Sequence, residues 1–538
     1  MNSEERLGIW LDRSATRICI SGAFVAVCLF ILRVGAPLSW DEAVYATRAD
    51  DLSRTNFNWE FYSGSYWSDL RAPGFPAILA AIFRVFGATD FVARIVTVAF
   101  ALLLMLTIAW MLDRLYRPRV GTSAMLLIAA CPGFLVGSTL AFADIPAAAV
   151  SALAVLVIVD AWAHRRTIFL FLIPVLSGIA TTMRFGASML AAAPLVIFGA
   201  AIIIRGWRDR RRDEIISTVT AGAATAIVVY LLLSTKLLTR TSTPLDAKYN
   251  RMDAVGKPRF QAFTDIVDIL HPGRVGYGFG SAFWGWSFAV AFGLLTVAVI
   301  CRLLVAARFK QLLLCLLVAV TPLLLYVLAV RGFVTTYLAP LYAIGAAMVA
   351  TGYWTATDER PSDEEDGQPA ETASDSSSAD GLLGARTGTT VLAVVVAAYA
   401  LIGWSSVRAN ESMHRALGVW DGVRLTSQLA GESILGDCKI ATVRTPQVSW
   451  YSDCRVYSFV APSEGKHVSE SELPEYLDRL EAHMGISGGG WYGLIIIEPF
   501  GGQPSIATAQ PMSVARRSIV IGSESAQRRS ALLVMVAD

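Results

Sequence analysis

Two acidic segments are the first candidates for chemistry in this sequence. Asp41 and Glu42 are adjacent in WDEAVYA, directly after an apolar run, and Asp144 lies in FADIPAA between two apolar runs. A carboxylate beside an apolar run loses part of its hydration, and that cost favours a partner or a ligand. Such a carboxylate can accept the proton of an attacking hydroxyl group. The simpler interpretation is that these acids cap helices, with Pro146 in the first turn after Asp144.

Arginines at the ends of apolar runs are the second group of candidates: Arg71, Arg94, Arg184 and Arg331. A guanidinium binds phosphate oxygens through paired N–H donors. The alternative is that each side chain extends toward lipid headgroups. Acids and arginines together suit a ligand that carries a phosphate and a hydroxyl group that must lose a proton.

The elements that position these residues are membrane-spanning helices. Of the 538 residues, 55% are hydrophobic and 16% are charged, whereas soluble proteins carry about 25% charged residues. A spanning helix needs about 20 mostly apolar residues. About eleven segments qualify: 17–36, 91–112, 120–140, 146–163, 168–183, 187–204, 215–235, 282–301, 312–330, 334–354 and 388–407. The segment 73–86 is too short to span, which favours an interfacial or re-entrant helix. The predicted fold class is an all-α polytopic membrane protein, and a net charge of +2 argues for no nucleic-acid partner.

Charged loops predict the orientation of these helices. Arginines are concentrated in the loops 113–119, 164–166, 205–214 and 302–310, which the order of the spans places on one side. The positive-inside rule assigns that side, together with the N-terminus, to the cytoplasm. The acids and the arginines of the second group then share the extracytoplasmic face.

The first predicted outer loop, residues 37–90, contains a short amphipathic pattern. Ala43, Tyr45 and Leu52 have approximately helical spacing after the two acids, which predicts a helix along the membrane interface. Its outward face would present Asp41, Tyr45 and Arg48. A second long outer loop, 236–281, is polar and is equally open to a role as a lid or in acceptor binding.

The C-terminal third has a different composition. Residues 1–354 are predicted as the membrane domain, 355–387 as an acidic disordered cytoplasmic linker, and 388–407 as the last span. Residues 408–538 contain the strand-like runs KIATVRT and YGLIIIE and a helical stretch SELPEYLDRLEAH, which predicts a small α/β domain outside the membrane. In an oxidising compartment Cys438 and Cys454 can form a disulfide; the alternative is two unpaired thiols in separate strands.

Five segments resemble GT-C-type membrane glycosyltransferases of the protein O-mannosyltransferase and lipid A aminoarabinose transferase kind. They occur in the order found in that family: WDEAVYA (40–46), RAPGFPAILAAIFRVFG (71–87), DFVARIVTVAFALL (90–103), FADIPAA (142–148) and RGFVTTYLAPLYAIGAAMVA (331–350). The resemblance covers about the first 350 residues.

The resemblance implies transfer of a sugar from a polyprenyl-phosphate or dolichyl-phosphate carrier to a lipid, glycan or protein acceptor. The reaction would be a single inverting displacement on the extracytoplasmic face. It implies that Asp41 is the base, and that Glu42 and Asp144 support it. Asp41 and Asp144 would hold any divalent cation, such as Mg²⁺ or Mn²⁺. The donor phosphate would be bound by Arg71, Arg184, Arg331 and Tyr337.

Two other classes of protein remain open at this point. A lipid or sugar transporter, such as a flippase, would place ionisable residues near the bilayer midplane or show repeated halves. Here the candidate residues gather at one rim instead. A non-catalytic scaffold with an external binding domain would leave the paired acids without a role.

Overall fold

The structure is a computed structural model, and it describes part of the chain. The described residues are 3–33, 37–56, 72–115, 118–184, 186, 188–235, 346, 350, 427, 439–442, 445–452, 454–458, 492–497, 517–522 and 531–537. Several predicted features lie outside the described residues: Arg71, Arg331, Tyr337, Cys438, the loop 236–281, the linker 355–387, and the predicted spans 282–301, 312–330, 334–354 (except 346 and 350) and 388–407. The chain divides into two compact units. One consists of residues 1–33, 72–75 and 94–411, and the other of 34–71, 76–93 and 412–538.

The described part of the first unit is helical. Its described helices are α1 (Ser3–Leu32), most of α4 (Asp90–Leu115), α5 (Pro118–Ala130), α6 (Pro132–Ser138), α7 (Asp144–His164), α8 (Leu172–Met183), α9 (Ser188–Arg208) and α10 (Arg212–Ser234). Four stretches within the described residues are long and apolar enough to cross a membrane: Ser14–Leu32, Asp90–Leu115, Asp144–His164 and Arg212–Ser234. Each matches a predicted span to within a few residues at most ends.

Two predicted spans are interrupted. The segment 120–140 forms two helices that meet at Cys131 and Pro132, because proline has no N–H for the helical ladder and disfavours helical geometry in the residue before it. The segment 168–183 begins as a 3-10 helix, Thr167–Phe171, and continues as the 12-residue helix α8. Hydropathy identified both apolar segments but not their breaks.

Ion pairs join helix ends at one side of this unit. Arg17 of α1 donates to both oxygens of Asp113 in α4, at 2.9 and 2.7 Å. Arg114, next in α4, lies 2.7 Å from Asp160 of α7. These contacts place the middle of α1 beside the C-terminal end of α4, and that end of α4 beside the C-terminal end of α7.

The connections after α7 and after α9 meet at the same place. Arg165 donates to Asp209 at 2.8 Å, and this hydrogen bond lowers the pKa of the Asp209 carboxyl group. Arg205 donates to Glu214 at 3.1 Å and to the backbone oxygen of Trp162. Three of the loops that the sequence assigned to one side, 113–119, 164–166 and 205–214, therefore contact one another within the described residues. We call this group of ion pairs the arginine-rich end.

The second unit contains α2 (Trp40–Arg54), most of α3 (Gly74–Phe86), α11 (Thr445–Ser452) and a sheet of five strands. The strands are β1 (Lys439–Thr442), β2 (Arg455–Ser458), β3 (Tyr492–Ile497), β4 (Arg517–Gly522) and β5 (Ala531–Ala537). Their order is β2-β1-β3-β5-β4; β1 is parallel to β2 and β3, whereas β5 is antiparallel to β3 and β4. The two strand-like runs of the sequence form β1 and β3. Placement of this region outside the membrane stays a prediction.

Helix α2 exists where the sequence predicted it, but its burial differs from the prediction. Tyr45 and Arg48, expected on an outward face, are buried, and Asp41 is half-buried. The reason is non-local, since α11, almost 400 residues later in the chain, packs against α2. A periodicity within one segment carries no information about such a covering element.

Candidate active site

Asp144 and Arg184 form an ion pair in the first unit. Asp144 is the first residue of α7 and is only 5% exposed. Arg184 follows directly after α8, and its Nη1 atom lies 2.6 Å from Asp144 Oδ1. The helix begins one residue earlier than the capping interpretation requires. Ala143 occupies the N-cap position, and no side-chain cap hydrogen bond is formed there.

The position of Arg184 is determined by the end of α8. Its backbone is extended, with φ −150° and ψ 119°, while its N–H still donates to the Ala180 oxygen at 3.0 Å. The side chain therefore leaves the helix at its last turn. Because α7 packs against α8, the C-terminal end of α8 meets the N-terminal end of α7, where Asp144 lies.

A glycine allows a third element to approach this point. A Cβ atom on Gly74 would lie 2.6 Å from Thr182 Oγ1, 2.8 Å from the Thr182 carbonyl carbon and 2.9 Å from the Met183 nitrogen. Two of these three atoms belong to the backbone and cannot rotate away. The first turn of α3, within the RAPGFP segment, thus packs against the backbone just before Arg184, and no larger residue fits at position 74.

The pair has a clear electrostatic consequence. A carboxylate that is almost fully buried requires a partner, and Arg184 supplies the opposite charge. A guanidinium carries five N–H donors in a planar fork, so it can contact a carboxylate and a phosphate at the same time. Asp144 can therefore orient the Arg184 guanidinium so that it binds an anionic ligand such as a phosphate.

The acids of the second unit lie at the start of α2. Ser39 is the N-cap, and its N–H donates to Glu42 Oε2 at 2.9 Å, while Ala43 N–H donates to the Ser39 oxygen at 2.9 Å. Glu42 is 1% exposed. This hydrogen bond from the N-cap backbone to the Glu42 side chain is half of a capping box. The structure therefore gives Glu42 a role in holding the start of α2. The sequence had predicted that Glu42 supports the catalytic acid.

Asp41 is placed differently from Glu42. Both acids lie in the first helical turn, but Asp41 is half-buried whereas Glu42 is buried. An acid in the first turn interacts favourably with the positive end of the helix dipole. Of the two adjacent acids, Asp41 is therefore the one that can meet a substrate, and its catalytic role stays a prediction.

Residues that the sequence interpretation missed bind to the segment before α2. Asp90 accepts hydrogen bonds from Trp450 Nε1 at 2.6 Å and from the Tyr451 hydroxyl at 2.9 Å. The same hydroxyl accepts from Leu38 N–H at 2.8 Å. The Trp450 ring also packs on Phe83, with 5.8 Å between ring centroids. A Trp-Tyr pair in polar sequence was the available signal, and nothing in it indicated a partner.

Other predictions are only partly reached by the described residues. Cys454 is disulfide-bonded, and its predicted partner Cys438 lies outside the described residues, so the pairing stays a prediction. Among the described residues, no group of three or more His, Cys, Asp or Glu side chains could hold a metal ion. Asp41 and Asp144 belong to different units and are described separately.

One segment of the chain matches a known protein family model. Residues 70–234 match the family model described as dolichyl-phosphate-mannose-protein mannosyltransferase. The match includes Asp144, Arg184 and Gly74. No curated protein matches the chain significantly in sequence.

Solved structures extend the similarity to almost the whole chain. The chain is similar to ArnT from Cupriavidus metallidurans bound to undecaprenyl phosphate, with 15% identity, a TM-score of 0.59, and coverage of 96% of this chain and 97% of that chain. It is also similar to the archaeal oligosaccharyltransferase AglB from Archaeoglobus fulgidus in complex with an inhibitory peptide and a dolichol-phosphate. There the identity is 13%, the TM-score 0.51 and the coverage 90% and 70%. The resemblance to GT-C-type membrane glycosyltransferases is confirmed.

Proposed function

We propose that this protein is an integral membrane glycosyltransferase that moves a sugar from a polyprenyl-phosphate carrier to a lipid, glycan or protein acceptor on the extracytoplasmic face. The observation that carries the proposal is the buried Asp144–Arg184 pair. It lies in the segment that matches the mannosyltransferase model, and at the opposite end of α7 from the arginine-rich end. Similarity in fold to a structure with bound undecaprenyl phosphate supports the choice of donor.

The proposed orientation follows from the charges. The arginine-rich end would face the cytoplasm by the positive-inside rule, which places Asp144 and Arg184 at the opposite face. Within the second unit, α11 and the start of α2 contact each other. The C-terminal region and the first outer loop would therefore share one face, as the even number of predicted spans between them requires.

The proposed reaction is a direct displacement. The oxygen of the acceptor hydroxyl bonds to the anomeric carbon of the sugar, and Asp41 accepts the proton of that hydroxyl. At the same time the bond between the anomeric carbon and the phosphate oxygen breaks. Arg184, held by Asp144, stabilises the charge that develops on the leaving lipid phosphate. Arg71, Arg331 and Tyr337 complete the phosphate site in this proposal, and Glu42 supports Asp41 by fixing the start of its helix.

The site also raises the question of whether Asp41 and Asp144 bind a divalent cation. The Asp144 carboxylate already has a guanidinium as its counter-charge at 2.6 Å, and a guanidinium is not a metal ligand. The residues present thus favour phosphate binding by Arg184 over a cation held by Asp41 and Asp144. Transfer rates measured with EDTA and then with added Mg²⁺ or Mn²⁺ test this; loss with EDTA and recovery with the ion would restore the metal assignment.

The function is tested with membranes that contain the protein and labelled polyprenyl-phosphate sugars. We expect covalent transfer of label to lipid, glycan or protein, and loss of most transfer in Asp41→Asn. Asp50→Asn is the matched control, because Asp50 lies on the same helix and pairs with the exposed Arg54. Label that crosses the membrane still attached to its carrier would favour the transporter. Equal transfer in Asp41→Asn and Asp50→Asn would refute the assignment of the base.

A further inference from the structure

We infer that Tyr451 and Trp450 of the C-terminal helix α11 are positioning residues for α2 and its acid Asp41. This inference rests on the proposed function, since Asp41 is the proposed base. It concerns a contact between two parts of one unit that are far apart in sequence. We call the group Leu38, Asp90, Trp450 and Tyr451 the latch.

The Tyr451 hydroxyl uses both of its hydrogen-bonding capacities in the latch. It donates to Asp90 Oδ2 at 2.9 Å and accepts from Leu38 N–H at 2.8 Å. A single oxygen atom thus connects the backbone that enters α2 with the first residue of α4. Leu38 is fully buried, so its N–H would otherwise lose a partner at a cost.

The Asp90 carboxylate is bound at both oxygens. Trp450 Nε1 donates to Oδ1 at 2.6 Å while Tyr451 occupies Oδ2. Hydrogen bonds to a charged acceptor are about twice as strong as neutral ones. The ring contact between Trp450 and Phe83 fixes the indole from its other side. Asp90 is thereby held by two neighbouring residues of α11.

The latch lies next to the start of α2. Leu38 immediately precedes the N-cap Ser39, whose N–H binds Glu42, and Asp41 follows within the first turn. The Tyr451 contact therefore fixes the direction in which the chain enters the helix that carries the base. The packing of α11 on α2, with Val448 and Gln447 of α11 buried, supports the same arrangement.

Loss of the latch should affect chemistry more than substrate binding. A displacement of about 1 Å at a catalytic group can lower a rate about 100-fold. We expect Tyr451→Phe, which removes only one oxygen atom, to lower kcat about 10- to 100-fold. The KM for the lipid-linked donor should stay within about twofold, because the arginines proposed to bind its phosphate lie on other elements.

The experiment compares Tyr451→Phe with Tyr230→Phe, whose tyrosine is exposed on α10 at 67%. Kinetic constants and amide hydrogen exchange of residues 37–56 are measured on the full-length protein. We expect lower kcat and faster exchange in Tyr451→Phe alone. Unchanged exchange would overturn the latch, and faster exchange with unchanged kcat would overturn its role in positioning Asp41. Asp90→Asn combined with Tyr451→Phe should lose less than the sum of the two single losses, because both substitutions disturb the same hydrogen bond.

Failure of the proposed function is distinguishable from failure of this inference. If the wild-type protein transfers no sugar from any polyprenyl phosphate tested, the proposed function fails. Hydrogen exchange still decides the latch in that case, since faster exchange at residues 37–56 in Tyr451→Phe supports it and equal exchange refutes it. Equal kcat losses for Tyr451→Phe and Tyr230→Phe would point to an unspecific effect and overturn the inference.

Discussion

Gly74→Ala is the substitution whose effect follows most directly from the structure. The new Cβ atom would lie 2.8 Å from the Thr182 carbonyl carbon and 2.9 Å from the Met183 nitrogen, where ordinary contact begins at 3.4 Å. Backbone atoms must therefore move by about 0.6 Å. Overpacking of this kind costs about 1–3 kcal/mol, so we expect a lower apparent melting temperature in detergent.

The activity should fall as well, because Arg184 is two residues from Thr182 in the chain. A shift of this size at a phosphate-binding group should lower the rate of sugar transfer about tenfold, given that about 1 Å can cost 100-fold. The assay is transfer of label from the polyprenyl-phosphate sugar at equal amounts of protein in the membrane.

Two controls separate this explanation from a general effect of adding a methyl group. Gly22→Ala adds the same methyl group in α1, where nothing lies within 4 Å, and should leave stability and transfer unchanged or slightly improved. Thr182→Ala combined with Gly74→Ala removes the Oγ1 contact but not the two backbone contacts, so rescue should be incomplete. Wild-type stability and transfer in Gly74→Ala, or full rescue by Thr182→Ala, would refute the reasoning.

Three further predictions concern the rest of the chain. Gly121→Ala should lower the apparent melting temperature, because the added Cβ would clash with the Asp113 carboxylate and with a backbone oxygen of α4; a melting temperature equal to wild type would count against this packing. Arg17→Lys should lower the free energy of unfolding by about 1–3 kcal/mol, measured by denaturant titration in detergent, since Lys keeps the charge but cannot contact both oxygens of Asp113. Alkylation of unfolded protein without reductant should leave Cys438 and Cys454 unlabelled; labelling of Cys438 alone would show that Cys454 has another partner.

Hydropathy predicted the long helices of the first unit because a helix that crosses a lipid bilayer needs about 20 mostly apolar residues. The predicted spans 91–112, 146–163 and 215–235 correspond to the observed helices Asp90–Leu115, Asp144–His164 and Arg212–Ser234. The interruption at Cys131 and Pro132 was not predicted, although proline is visible in the sequence. A proline in an apolar segment is tolerated in some membrane helices and ends others, and only the packing around it decides between these outcomes.

The candidate site was predicted by residue type but not by geometry. Asp144 and Arg184 were both assigned to one rim, yet their direct contact depends on how α7 and α8 pack, which no local pattern encodes. Asp41 and Glu42 were treated as one acidic pair. The structure separates them, because Glu42 accepts from the Ser39 N–H and is buried, whereas Asp41 is half-buried. Tyr451 was missed entirely, since its partners are about 360 and 410 residues away.

The Asp144–Arg184 pair is better explained by function than by stability. A buried ion pair loses the hydration of both partners, and its attraction often only offsets that cost. At the arginine-rich end, Arg114 and Arg165 are about 40% exposed and keep much of their hydration, whereas Arg205 and Glu214 are 16% and 2% exposed and form an equally enclosed pair. Arg184 is 20% exposed while Asp144 is 5% exposed, so the carboxylate is enclosed and the guanidinium remains partly accessible. An enclosed acid that orients a partly accessible guanidinium suits the binding of a lipid phosphate, whereas an apolar pair of similar volume often holds two helices together equally well. Of the two enclosed pairs, Asp144–Arg184 is the one at the end of α7 that lies away from the arginine-rich end.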